Sequence, residues 1–285
     1  MSAPVQISAN KHFGGYNRRF RHKSTSLGCE MTFTIYFPPA VEAQAKKVPL
    51  IYYLSGLTCT DENFIQKSGA QQKASEFGIA LVAPDTSPRG LGVPGEADSW
   101  DFGVGAGFYI NATVEKWKNW RMYEYITEEL PALLSSNFGD KIDLGTAAVM
   151  GHSMGGHGAI TVGLKNPGKF RSISALAPIC NPTSLECPWG TKAFTGYLGD
   201  NREAWKEHDS CELIRRHKGP PLPLLVDQGS ADNFLSQLQP ESLEVAAKDA
   251  QYPIQLRMQE GYDHSYFFIS SFIDDHIEFH AKHLK

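Results

Sequence analysis

Seven short β-rich apolar runs, most of them separated by helix-like stretches, constrain this chain more than any other feature. The runs fall at residues 31–37, 48–54, 79–84, 147–150, 173–176, 222–226 and 254–258, and helical candidates at 62–77, 120–138, 154–166 and 267–283. Runs such as Val-Pro-Leu-Ile-Tyr-Tyr-Leu at 48–54 show no clean alternation, so they read as strands buried on both faces. Strands that alternate with helices need crossover connections, which predicts an α/β fold with a mostly parallel, doubly wound central sheet and helices on both faces. No internal repeat, charge block or linker divides residues 1–285, so a single domain is expected. The stretch at about 179–219 breaks the rhythm. It packs Pro182, Pro188, Trp189, Gly190, Trp205 and Cys211 into some forty residues and reads as an insertion over the carboxyl edge of the sheet, where such folds bind ligands.

Charge and cysteine usage narrow the function classes. The net charge of −4 supplies no basic field for phosphates or anionic lipid, which argues against nucleic acid and membrane surfaces as partners. No apolar run approaches the ~20 residues of a bilayer span and no apolar leader follows Met1, so a cytoplasmic protein is expected. Five cysteines without a Cys-x-x-Cys fit free thiols in a reducing compartment better than a disulfide framework or a thiolate zinc site.

The chemistry centres on Gly151-His152-Ser153-Met154-Gly155, which follows the run at 147–150 and opens the helical stretch at 154–166. A G-x-S-x-G between strand and helix is the context of a nucleophile elbow. The glycines let the backbone turn sharply enough to hold the serine in a strained, exposed conformation. A serine hydroxyl needs a base held by a third group, in the chain order Ser, acid, His for this fold. Two carboxylates, Asp227 and Asp232, follow the run at 222–226; Asp232, in the loop beyond the strand, is favoured because it can reach an imidazole, with Asp227 holding the loop. His264 is the histidine just past a strand downstream of Asp232 and is the candidate base. His152 and His157 flank the elbow and read as packing residues. His276, His280 and His283, at i, i+4 and i+7 spacing, read as a solvated last helical turn.

Acyl transfer also needs donors aimed at an oxyanion. The backbone N–H groups of Met154 and of Leu57, in the turn Ser55-Gly56-Leu57-Thr58, are the candidates, and the Cys59 thiol should open beside them. Gly103-Val104-Gly105-Ala106-Gly107 fails as a nucleotide loop and reads as a flexible loop carrying Trp100, Phe108 and Tyr109 beside the site.

These residues carry a close resemblance to the S-formylglutathione hydrolase (esterase D) family, serine thioesterases of the α/β-hydrolase superfamily. It extends over nearly the whole chain, through FGGY at 13–16, MTFTIYFPP at 31–39, YLSGLTCTDENF at 53–64, APDTSPRG at 83–90, GFYINAT at 107–113, GHSMGGHGA at 151–159, DQGSADNF at 227–234 and GYDHSYF at 261–267. The resemblance implies Ser153 as nucleophile, Asp232 as acid, His264 as base, Leu57 and Met154 as oxyanion donors, and neither metal nor nucleotide cofactor. It implies a small-molecule substrate, S-formylglutathione, cleaved to glutathione and formate in formaldehyde detoxification through a formyl-enzyme. Small aryl esters and a homodimer are implied too. Since formyl is the smallest acyl group, a tight pocket walled by Trp189 is expected. Lys67, Arg89 and Lys192 are candidates for the glutathione carboxylates. A broad-specificity carboxylesterase on the same triad is the alternative, and relative turnover of short and long acyl groups distinguishes the two.

Overall fold

The computed structural model describes residues 3–43 and 47–285. Nine strands form one sheet: β1 (Val5–His12), β2 (Gly15–Lys23), β3 (Glu30–Phe37), β4 (Val48–Leu54), β5 (Ala80–Pro84), β6 (Ile142–His152), β7 (Ile173–Leu176), β8 (Leu224–Gly229) and β9 (Gln255–Gln259). Their order across the sheet is β1-β2-β3-β5-β4-β6-β7-β8-β9. Pairing is parallel from β5 through β4 to β9 and antiparallel among β1, β2, β3 and β5, so the expected mostly parallel α/β sheet is present with an antiparallel flank. Every residue of β5 and β7 is buried, as is all of β4 except Pro49, because helices cover these central strands on both faces.

Of the flank, β3 matches the run expected at 31–37, and β1 and β2 are the strands that patterning left out. β1 and β2 form a hairpin whose two-residue turn, Phe13-Gly14, places both residues at positive φ (44° and 77°), as a type I′ turn requires. β1 is an edge strand exposed along nearly all its length, and β2 carries Arg18, Arg19, Arg21 and Lys23, so neither shows an apolar run. Elsewhere the boundaries moved for local reasons. The helical stretch expected at 62–77 is two helices, Asp61–Lys67 and Gln71–Phe77, parted at Gly69 with φ 75°. The stretch at 120–138 starts at Met122 and widens to a π turn over Tyr125–Glu129 ahead of Pro131. Residues 179–219 fold into the helices Pro188–Leu198, Arg202–Trp205 and Ser210–Arg216. Among the described residues no helix is long and apolar enough to cross a membrane.

Candidate active site

The central strands deliver their following residues to one end of the sheet. β6 ends at His152, and Ser153 sits between it and the helix Met154–Lys165 with φ 56° and ψ −118°, a strained conformation for a residue with a Cβ. The flanking glycines make that turn possible. A Cβ on Gly151 would lie 2.1 Å from the Gly155 carbonyl oxygen, and one on Gly155 would lie 1.9 Å from that of Leu54. The Ser153 N–H donates to the Leu176 carbonyl at 3.0 Å, tying the elbow to β7.

Beyond β8, the buried carboxylate of Asp232 accepts a hydrogen bond from His264 Nδ1 at 2.6 Å. Its other oxygen accepts the Phe234 N–H at 2.8 Å, and Gln228 Nε2 donates to the histidine-bound oxygen at 3.0 Å. With Nδ1 so committed, the imidazole has Nε2 free to act as a base. His264 and Ser153 both line a cavity of about 270 Å³, together with Gly56, Leu57, Thr58, Cys59, Trp100, His152, Trp189, Phe234, Ser265 and Tyr266. The Leu57 and Met154 N–H groups donate to no acceptor among the described residues, which leaves both available at the elbow. Gly56 lets the Leu57 turn come close: a Cβ there would be 3.2 Å from Ser153 Cβ. Among the described residues no group of three or more His, Cys, Asp or Glu side chains could hold a metal ion.

Aromatic rings wall the cavity. Trp189 is 5 % exposed and meets Trp100 and Phe234 edge-on at 6.3 and 5.1 Å, and the Phe234 ring in turn meets His264 at 5.2 Å. The His152 ring lies 4.5 Å from that of His264, and burial, reinforced by any charge on His264, pushes its pKa well down, so it stays neutral beside His264. Cys59 is half-buried. Burial raises its thiol pKa while Lys67 nearby pulls the other way, so the neutral thiol predominates at neutral pH.

A family model described as "Putative esterase" matches residues 24–279. An S-formylglutathione hydrolase of Arabidopsis thaliana is 58% identical over 98% of both chains, and one of Rattus norvegicus is 55% identical over the same shares. The chain belongs to the S-formylglutathione hydrolase family. A solved S-formylglutathione hydrolase from Agrobacterium tumefaciens superposes with a TM-score of 0.93 at 46% identity, covering 98% of this chain and 99% of that one. The fold extends further, to a ferulic acid esterase with a TM-score of 0.72 at 16% identity.

Against this S-formylglutathione hydrolase scaffold, several expectations change. His276 and His280 are not a solvated turn; both are fully buried, and only His283 of the three is partly exposed. His276 Nδ1 meets Ser174 Oγ at 2.8 Å and its Nε2 meets Asp227 Oδ2 at 3.0 Å, while His280 contacts Ser172 and Ser174 at 2.7 and 2.8 Å. This is a second Ser–His–Asp set, but all three side chains are sealed under the sheet where no substrate reaches. Asp227 is tied further to Arg257 at 2.7 and 2.5 Å and to Gln259 at 3.1 Å.

The Gly103–Gly107 loop presents only Trp100 to the cavity. Phe108 and Tyr109 are buried, and the Tyr109 hydroxyl donates to the Ser55 carbonyl at 2.8 Å. Two of the three candidate cations are already engaged: Arg89 forks onto Asp85 at 2.8 Å and reaches the Cys59 carbonyl at 3.1 Å, and Lys192 pairs with Asp101 and Ser99. Lys67 has no carboxylate partner among the described residues, and its Nζ lies 5.6 Å from the Tyr266 ring at the cavity wall. The residue sequence reasoning missed is Gln228, which touches Asp232. A polar side chain four positions before the chosen acid, inside an apolar strand, was the available signal.

Proposed function

We propose that this chain hydrolyses S-formylglutathione to glutathione and formate through Ser153, His264 and Asp232. The observation that carries the reading is the 2.6 Å His264–Asp232 hydrogen bond facing the cavity that Ser153 lines. The full-length identity to S-formylglutathione hydrolases supplies the substrate. Ser153 Oγ attacks the formyl carbon while His264 Nε2 takes its proton, and the N–H groups of Leu57 and Met154 receive the oxyanion. The carbon–sulfur bond then breaks and the glutathione sulfur leaves, taking up the proton from the imidazolium. Water, activated by the same histidine, attacks the formyl ester, and formate departs as Ser153 regains its proton. Asp232 keeps the imidazole in the tautomer that presents Nε2. A thiolate leaves readily, so this machinery serves thioesters and activated esters such as small aryl esters and not peptides.

The Trp189 and Trp100 walls around about 270 Å³ support a small acyl group. Glutathione has two carboxylates and one ammonium while the chain carries −4 overall, so binding rests on local groups; the Lys67 ammonium, 5.6 Å from the Tyr266 ring and without a carboxylate partner among the described residues, supports that residue as the cation for a carboxylate. Five free thiols fit a cytoplasmic setting, and a homodimer is the assembly the family resemblance suggests. Turnover of S-formyl-, S-acetyl- and S-lactoylglutathione tests the assignment. The formyl thioester should be the best substrate by at least about tenfold in kcat/KM, of the order that one methylene is worth in a tight pocket. Equal or faster turnover of the longer acyl groups would favour a broad carboxylesterase.

A further inference from the structure

We propose that Gln228 is a positioning residue for the reaction, its amide fixing the Asp232 carboxylate that orients His264. The inference rests on the Ser153–His264–Asp232 reading above. Gln228 lies in β8, fully buried, four residues before Asp232. Its Nε2 donates to Asp232 Oδ2 at 3.0 Å, the oxygen that also accepts from His264 Nδ1 at 2.6 Å, and to the Gly229 carbonyl at 3.2 Å. With the Phe234 N–H on Oδ1 at 2.8 Å, the carboxylate is held from three sides and cannot rotate away from the imidazole.

The other end of the amide shows what the residue is for. Gln228 Oε1 is buried with no hydrogen-bond partner among the described residues. An orphaned buried acceptor is costly, and an apolar side chain of the same length would fill the space without that cost. What the amide adds here is a neutral donor to Asp232. Neutrality matters, because a cation at the same place would cancel the negative field that stabilises the imidazolium.

Two consequences separate this role from simple packing. Without the donor the carboxylate turns more freely, so the imidazole is presented correctly less of the time and kcat falls. At the same time Oδ2 no longer shares its charge with the amide, so it stabilises the imidazolium more strongly and His264 becomes more basic. Among the described residues, the titratable groups near His264 besides Asp232 are His152, its ring at 4.5 Å and neutral through burial, the neighbouring Asp263, and Cys59 and Tyr266 on the same cavity wall; none is altered by substitution at position 228.

The test is Gln228→Met, with Gln228→Asn, whose shorter amide cannot span to Oδ2, as the second variant should methionine not be accommodated. In either, kcat should fall about 10- to 100-fold, the scale on which loss of an outer hydrogen-bond partner of a metal-bound histidine acts. The fall should be the same for S-formylglutathione and for a neutral aryl ester, with KM within about twofold. The acidic limb of the kcat/KM profile should move to higher pH. A folded variant with wild-type kcat and an unmoved limb overturns the proposal, as does one that loses thermal stability alone. Labelling of wild-type Ser153 by a fluorophosphonate probe keeps the two readings apart. An unlabelled serine sinks the triad reading and this inference with it, whereas a labelled serine beside an unaffected Gln228→Met overturns only the role of Gln228.

Discussion

Asp227 and Asp232 stand five residues apart, each bonded to a histidine, and asparagine at each should fail in opposite ways. Burial alone would raise the Asp227 carboxyl, but hydrogen bonds from His276 and Arg257 outweigh it and hold the pKa at about 2, below its ordinary 3.8. Holding the carboxyl that far below its ordinary value makes this carboxylate worth on the order of 2 kcal/mol of stability at neutral pH. Because the folded value lies below the unfolded one, that contribution is complete above about pH 5 and is lost as pH falls toward 2. Asp227→Asn should therefore lower stability by on the order of 2 kcal/mol at pH 7. With an unfolding entropy near 0.6 kcal/mol per kelvin for a chain of this length, the melting temperature falls by about 3 °C. Urea titrations of wild type and variant should converge as pH is lowered, the gap shrinking by about 1 kcal/mol at pH 3. Activity of the folded Asp227→Asn enzyme should stay within a few-fold of wild type. Asp232→Asn should do the reverse, keeping most of the stability and losing about 10⁴-fold in kcat through the wrong imidazole tautomer. The reasoning is refuted if Asp227→Asn loses catalysis by that factor while Asp232→Asn keeps it, which would make Asp227 the acid.

Two further outcomes follow from the cavity. Thiol alkylation should inactivate the enzyme at a rate that rises with pH, since burial keeps the Cys59 thiol protonated; Cys59→Ser should keep activity and resist the reagent, and a still-sensitive variant would shift attention to another thiol. Gly155→Ala drives a methyl into the Leu54 carbonyl at 1.9 Å, so the elbow must open, and hydrolysis should fall at least about a hundredfold; near-normal turnover would show the close approach to be dispensable.

The sequence exposed those parts of the molecule whose pattern is local. Unalternating apolar runs marked the central strands, and a Gly-x-Ser-x-Gly between strand and helix located Ser153 because the turn tolerates only glycine at 151 and 155. What stayed hidden either buries little or depends on partners distant in the chain. β1 and β2 bury little, so their hairpin leaves no hydrophobic signature beyond the Phe13-Gly14 turn. His276 and His280 looked like a solvent face because polar side chains at helical spacing usually are one; their partners lie just before β7 (Ser172), on β7 (Ser174) and on β8 (Asp227), about fifty or more residues away. Arg89 and Lys192 carried charges that looked free for a substrate, and only the fold shows Asp85 and Asp101 already holding them.

The central claim, that Ser153 is the nucleophile of a thioesterase acting on S-formylglutathione, is tested most directly by following loss of the thioester with wild-type and Ser153→Ala enzyme at equal concentrations of folded protein. The wild type should hydrolyse S-formylglutathione, and the alanine variant, with its melting temperature preserved, should be slower by about 10⁴-fold or more. A folded Ser153→Ala enzyme that retains more than about 1% of wild-type turnover would contradict the assignment, because the hydroxyl held on the strained turn between β6 and the helix Met154–Lys165 would then be dispensable.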